Sequence, residues 1–252
     1  VSVDEIDRAG NSTSRSAAIP APLTSPIVGV ALWWSALAPQ PQDLARFATW
    51  LSAEEHARAA RFGTEALRDK YVAGRASLRL VLGDALGIAP TEVRIRRGRR
   101  GRPVLANTGA ALDFNVSHTR GGAVFGVATG LDPNVRIGVD VEREDRTLAA
   151  DGLARKFLSG DEQTTLQGID ADERRRRFLR YWTCKEAMSK ATGDGLIAPF
   201  ARIGVEIDGP LRLVEGPAPY SPQAWRLAAL AVPHGFIATL ATWRGDTALN
   251  GA

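Results

Sequence analysis

The chain has 252 residues, 44% of them hydrophobic and 24% charged, the ordinary balance of a globular protein of one large or two small domains. No apolar run approaches the ~18–20 residues that span a bilayer, and a single cysteine, Cys184, excludes internal disulfides and fits a reducing cytosol. The net charge of +4 points modestly to an anionic partner, but only four of the 32 basic residues are lysine, so the charge reflects arginine usage as much as function.

In chain order, residues 1–26 are polar, rich in Ser, Ala and Pro, and lack both periodicity and a signal-peptide core; a disordered tail on a cytoplasmic protein is expected. IVGVALWWSAL (27–37) reads as a buried strand ended by Pro39 and Pro41. Ser52, followed by Glu54 and Glu55, has the pattern of a helix start. A long helix follows over 64–86, with Leu67, Tyr71, Leu78, Val81 and Leu82 forming an apolar stripe and Gly87 stopping it. VRIRRGRRGRPVL (93–105) reads as an arginine-dense hairpin or loop, and DFNVSH and AVFGVAT (113–118 and 123–129) as a strand hairpin. LDPN (131–134) reads as a turn and subdomain boundary.

The second half opens on RIGVDVE (136–142). Alternation places Ile137, Val139 and Val141 on one strand face, and Gly138, Asp140 and Glu142 on the other. LSGDE (158–162) repeats the serine-then-acid helix start. YWTCKEAMSKATGDGL (181–196) packs Glu186 between Lys185 and Lys190 on a helix closed by Gly193, so two of the four lysines fall in one six-residue window. Three later strands are expected over 202–207, 225–232 and 236–243.

At an offset of 110 residues, 71–88 aligns with 181–198 with four identities, Tyr71/Tyr181, Gly83/Gly193, Asp84/Asp194 and Leu86/Leu196. With matching element order, this predicts an α+β pseudodimer. Its two subdomains, 27–131 and 132–245, would each pack an antiparallel sheet against a long helix, with a cleft between them and a short tail over 246–252. At this offset the first half has Ala76 and Leu80 where the second has Glu186 and Lys190.

Asp140, Glu142 and Glu186 are hard-cation ligand types suited to Mg²⁺; three histidines without paired spacing and one cysteine do not make a zinc site. The alternative is a solvent-facing edge strand and an exposed i,i+4 pair between Glu186 and Lys190. Ser117 and His118, with the arginines of 97–102, form a phosphate-binding hypothesis; a solvated surface or a nucleic-acid patch is the other reading of the same arginines. Cys184 beside Lys185 is either an activated thiol or a packed helix residue.

The set GRPVL, FNVSH, RIGVDVE, LSGDE and WTCKEAMSKATGDGL closely resembles the signature of the 4′-phosphopantetheinyl transferases, in the two-lobed class named after the surfactin-synthetase activator. The resemblance runs from about Leu51 to Leu196 and more weakly to Trp243. It implies transfer of phosphopantetheine from coenzyme A to a serine of an acyl or peptidyl carrier protein, in a polyketide, nonribosomal-peptide or fatty-acid system. With the composition and the internal duplication, a cytoplasmic monomer with no nucleic-acid or membrane partner is expected.

By that resemblance Asp140, Glu142 and Glu186 bind Mg²⁺, or Mn²⁺ in its place, and Glu186 also accepts the serine proton. Lys190, Lys185, Ser117, His118, Arg102, Arg58 and Arg97 contact the coenzyme A phosphates. Arg102 replaces a lysine usual in its tripeptide, and Glu55 stands where some members carry a phosphate-binding lysine. Two other readings remain: a nucleic-acid binder using 94–102 and Arg174–Arg177, and a coenzyme A-binding relative without catalysis.

Overall fold

A computed structural model of the chain describes residues 19–106, 111–132 and 134–245. Residues 1–18 of the tail expected over 1–26, and the tail expected over 246–252, lie outside these residues, as does Pro133 of the expected turn. Residues 19–26 are not tail: β1 (Ala21–Leu23) pairs antiparallel with Leu32–Trp34 of β2 (Val30–Ser35). After β2, Pro41 does not merely end a strand. It opens α1 (Pro41–Ala48) at a position where the missing N–H has no intrahelical partner to lose.

α2 (Ala53–Ala59) carries a full capping box, with Glu55 N–H on the Ser52 side chain and Ser52 N–H on the Glu55 carboxylate. The long helix α3 (Glu65–Leu86) ends at Gly87 in the left-handed region (φ 68°). The arginine-dense stretch folds as a hairpin, β3 (Ile95–Arg97) with β4 (Pro103–Leu105). β5 (Leu112–Thr119) and β6 (Gly122–Thr129) complete an antiparallel sheet of order β1-β2-β6-β5, packed on α3 through Phe114, Ala123, Phe125 and Val127.

The second lobe repeats the plan. β7 (Val135–Arg143) is followed by α4 (Ala150–Phe157) and α5 (Gly160–Thr164), and α5 has its own capping box, Ser159 with Glu162. Helix α6 (Ala171–Thr192) starts on the Asp170 side chain and ends at Gly193 (φ 80°). The small hairpin β8 (Gly204–Glu206) and β9 (Arg212–Glu215) precedes β10 (Trp225–Ala229) and β11 (Phe236–Arg244), which give the sheet order β10-β11-β7. Neither α4 nor β9 was expected from pattern.

The molecule is thus the α+β pseudodimer, but its internal register is 106 rather than 110. α3 and α6 both span 22 residues, and Gly87 and Gly193 close them. A slip of four is about one helical turn, which leaves an apolar stripe nearly in phase, so composition alone does not detect it. Gly83 lies inside α3, where a Cβ would stand 2.8 Å from the Ile88 carbonyl oxygen. At the structural register Arg79 opposes Lys185, and the capping-box acids Glu55 and Glu162 bind these two cations.

The two sheets face each other across a third core, built from Val30, Leu32, Val124 and Ala128 on one side and Ile137, Val139, Val141, Ala238 and Leu240 on the other. β5 and β7 share no main-chain ladder. Instead, alternate β5 side chains accept the β7 N–H groups: Asp113 from Ile137 at 2.7 Å, Asn115 from Val139 at 3.0 Å and Ser117 from Val141 at 3.3 Å. This satisfies an otherwise orphaned strand edge with polar side chains and brings Ser117 to the lobe seam.

On the opposite face of β7, Gly138 admits α6. A Cβ there would stand 1.9 Å from the Ala187 carbonyl oxygen and 2.8 Å from the Ala191 nitrogen. Both are backbone atoms of a packed helix, so no rotamer change relieves the clash. Gly138→Ala is expected to lower unfolding free energy by at least about 1–3 kcal/mol, read from the urea midpoint. An unchanged midpoint would mean that α6 is not seated on β7 as described.

Candidate active site

The close approach at Gly138 sets Asp140 and Glu142, further along the same face of β7, against Glu186 and Lys190 on α6. The exposed Glu186–Lys190 pair is not what forms. Lys190 Nζ reaches across to Asp140 Oδ1 and to Ser117 Oγ, each at 2.7 Å, and Ser117 Oγ donates to the same Asp140 oxygen at 2.8 Å. Glu142 accepts from Thr119 Oγ1 at 3.4 Å and pairs with Arg146.

Two carboxylate oxygens of this group, Asp140 Oδ2 and Glu186 Oε1, are buried with no hydrogen-bond donor. Burial, and next the Asp140 charge, push the Glu186 carboxyl up to about 7 despite Lys190. Burial and then Asp140 also raise Glu142, against the pull of Arg146 and Thr119. Among the described residues, no three acidic, histidine or cysteine side chains converge on one point as they stand. The donor set nevertheless fits a hard cation: orphaned, mutually repelling carboxylate oxygens are what such an ion stabilises.

Beside this group lies a cavity of about 720 Å³. Arg58, Arg97 and His118, the residues expected to contact phosphates, line it together with Lys70, Tyr71 and Arg75. Arg58 lies over the Tyr71 ring at 5.8 Å. A second, more open cavity of about 510 Å³ shares His118 and is bordered by Thr119, Glu142 and Arg146. Successive β5 residues face opposite ways, so Ser117 points to the carboxylates while His118 points into the cavities. A Ser-His nucleophilic pair is therefore excluded by geometry.

Three sequence expectations need correction. Lys185 does not face a ligand: it is fully buried, donating to the carbonyls of Phe157 (3.1 Å), Phe200 (2.7 Å) and Ile203 (2.6 Å) and paired with Glu162 at 2.6 Å. Next to it in the chain, Glu186 points about 100° away around the helix. Arg102 is likewise a bracket between lobes. It holds Asp113 through both terminal nitrogens (2.9 and 2.8 Å) and donates to the carbonyls of Phe114, Ile137 and Lys190. Ser117, buried and engaged with Asp140, Lys190 and Val141, positions the acids rather than presenting a hydroxyl to phosphate.

The remaining ambiguities also resolve. Cys184 is fully buried, and burial pushes its thiol up to about 12, so it is a packed residue and not an activated thiolate. The run Arg174–Arg177 makes no bare basic face. Its members pair with Asp151, Asp172, Glu173 and Asp208, and Arg174 and Arg175 also bind backbone carbonyls. Sequence reasoning missed Lys70 and Arg75 on the cavity wall. The rarity of lysine was a usable signal for Lys70; nothing marked Arg75.

Two similar lobes meet at an acidic seam that adjoins a cavity lined by several basic side chains. Residues 34–129 match the family model described as 4′-phosphopantetheinyl transferase, N-terminal, and residues 136–239 match that of the 4′-phosphopantetheinyl transferase superfamily. The chain is 35% identical over 216 residues to the 4′-phosphopantetheinyl transferase HetI of Nostoc sp., a match covering 84% of this chain and 86% of the relative. It is 28% identical over 182 residues to the 4′-phosphopantetheinyl transferase ffp of Bacillus subtilis, covering 72% and 78%. Among solved structures, a holo-(acyl-carrier-protein) synthase from Bacillus anthracis in complex with CoA (3′,5′-ADP) matches over 44% of this chain and 96% of its own, at 19% identity and a TM-score of 0.34. This chain belongs to the 4′-phosphopantetheinyl transferase superfamily, and to its two-lobed type.

Proposed function

We propose that the chain transfers the 4′-phosphopantetheine group of coenzyme A to a serine of an apo carrier protein, releasing 3′,5′-ADP. The observation that carries this reading is the pair of orphaned oxygens on Asp140 and Glu186, beside Lys190 and a basic cavity of about 720 Å³. In the reaction the carrier serine oxygen forms a bond to the phosphorus that bears pantetheine. The bridging P–O bond of the pyrophosphate breaks, and its electron pair leaves on 3′,5′-ADP.

Asp140, Glu142 and Glu186 would hold Mg²⁺ or Mn²⁺, which supplies charge neutralisation for the pyrophosphate oxygens. Lys190, fixed by Ser117 and Asp140, sets a point charge at the seam where a phosphate oxygen approaches. Arg58, Arg97 and His118 bind and orient the nucleotide end in the cavity. Glu186 accepts the serine proton, directly or through one water. In the metal-free site burial and neighbouring charge bring its carboxyl to about 7, and a bound cation would hold it ionised, the form a base requires.

Both lobes of one chain contribute to the site, which supports a monomer as the acting unit. Among the described residues, no helix is long and apolar enough to cross a membrane, and we place the reaction in the cytoplasm. The acceptors would be carrier domains of polyketide, nonribosomal-peptide or fatty-acid synthases. Incubation with coenzyme A, Mg²⁺ and an apo carrier protein, followed by intact mass, should show one phosphopantetheine added per carrier and 3′,5′-ADP formed. No mass gain on any carrier class would overturn the reading.

A further inference from the structure

The three acids at the seam are not equally free to take a cation. Asp140 Oδ2 and Glu186 Oε1 are buried without a donor. Both oxygens of Glu142, in contrast, are engaged: Oε1 accepts from Arg146 Nη1, and Oε2 from Thr119 Oγ1 at 3.4 Å. The hydroxyl contact is long and weak, so the guanidinium is the stronger hold. Among the described residues, the acids do not converge on one point while Glu142 is held in this way.

Arg146 is brought there by the turn that follows β7. Its N–H closes that turn on the Arg143 carbonyl at 3.2 Å, and its side chain folds back to Glu142, four residues earlier. The other arginines on this wall hold a different acid: Arg143 grips Asp145 through Nε and Nη2, and Arg120 reaches the same carboxylate at 3.6 Å. Burial and the Asp140 charge push Glu142 and Glu186 up, and the Arg146 charge pulls both back. Its field therefore covers more of the seam than the one carboxylate it touches.

Resting on the cation site proposed above, we infer that Arg146 competes with the divalent ion for Glu142 and so sets how much metal the protein needs. The ion seats on Asp140 Oδ2 and Glu186 Oε1, the oxygens with no donor, and gains Glu142 only as Arg146 releases it. Charge and space both allow the exchange. A divalent ion brings twice the charge of a guanidinium to the same carboxylate. The Arg146 side chain is 47% exposed, so the released guanidinium can turn to water, and a half-exposed ion pair is a modest hold. Arg146 thus tunes the affinity of the site without blocking it. Lys190, the other cation at the seam, does not compete in this way, because it bonds Asp140 Oδ1 and leaves Oδ2 free.

The test reads Mn²⁺ binding to the full chain, from the paramagnetic resonance signal of the free ion, with no coenzyme A or carrier present. Arg146→Gln should tighten Mn²⁺ by about threefold to tenfold. Arg146→Lys keeps the charge and should stay within about twofold of wild type. In a Glu142→Gln background the same Arg146→Gln change should gain about twofold or less, because the carboxylate it frees is gone. The Mg²⁺ concentration that half-saturates carrier modification should fall with the Mn²⁺ dissociation constant. Equal or weaker Mn²⁺ binding by Arg146→Gln would overturn the inference, as would a failure of both proteins to bind Mn²⁺. An equal gain in both backgrounds would trace the effect to charge at a distance and overturn the competition for Glu142. Each of these results leaves phosphopantetheine transfer to be judged on its own. A chain that shows the expected Mn²⁺ shifts but modifies no carrier would overturn the functional reading alone.

Discussion

Glu186→Gln should lose phosphopantetheine transfer by about 10²–10⁴-fold while the folded protein becomes no less stable. The two halves of that expectation come from one geometry. Glu186 Oε1 is buried without a donor, and burial with the Asp140 charge pushes its carboxyl up to about 7. An acid whose pKa is higher folded than unfolded opposes folding once it ionises. The ordinary value of such a carboxyl is 4.5, so the charge should weaken the wild-type fold progressively between pH about 4.5 and about 7, and by a constant amount above that. Glutamine keeps the shape and removes the charge. Measured with a chelator present, the denaturation midpoints of the two proteins should diverge in favour of the variant as pH rises through that window. Intact mass of a carrier protein reads the activity. A Glu186→Gln protein that modified carriers at the wild-type rate would remove Glu186 from the chemistry. One that was both inactive and unstable would make the carboxylate a structural group instead.

The second large effect falls on a neighbouring residue for the opposite reason. Lys185→Met should cost about 3–5 kcal/mol of unfolding free energy, a large share of the ~5–15 kcal/mol a domain has. Lys185 ties α6 to three backbone carbonyls and to Glu162, and Glu162 in turn accepts from Ser159 N–H and from Val205 N–H at 2.9 Å. Removing the cation leaves a buried carboxylate 3% exposed. Adding Glu162→Gln to Lys185→Met removes that charge and should recover part of the loss, read from urea midpoints. The KM for coenzyme A should stay near wild type in the folded double variant. A raised KM with an unchanged midpoint would instead return Lys185 to the phosphate site.

These two residues also show where sequence reading stops. Strand alternation in RIGVDVE correctly grouped Gly138, Asp140 and Glu142, because side chains on a strand have a period that nothing distant can alter. The ends of α3 and α6 were legible in Gly87 and Gly193, since a left-handed terminal residue is a local demand. The serine-acid helix starts at Ser52 and Ser159 were legible for the same reason.

What those acids do next was not local. Glu55 and Glu162 reach past their own caps to Arg75, Arg79 and Lys185 on other helices, and only the packed fold says so. Arg102 likewise looked like a ligand until Asp113 and the carbonyls of Ile137 and Lys190 closed around it.

By itself, the sequence determined most of the elements and the family signature, and the resemblance it carries grouped Glu186 with the acids of β7; β1, α1, α4 and β9 left no pattern that was read. Only the tertiary structure decided which cations remain available. A charged side chain has many donors or acceptors and a long reach, and its partners lie 15 to 50 residues away: Lys185 bonds the carbonyls of Phe157 and Phe200, and Lys190 bonds Asp140. Burial then separates structural charges from functional ones. Of the lysines flanking Glu186, one is locked in the core and one faces the seam.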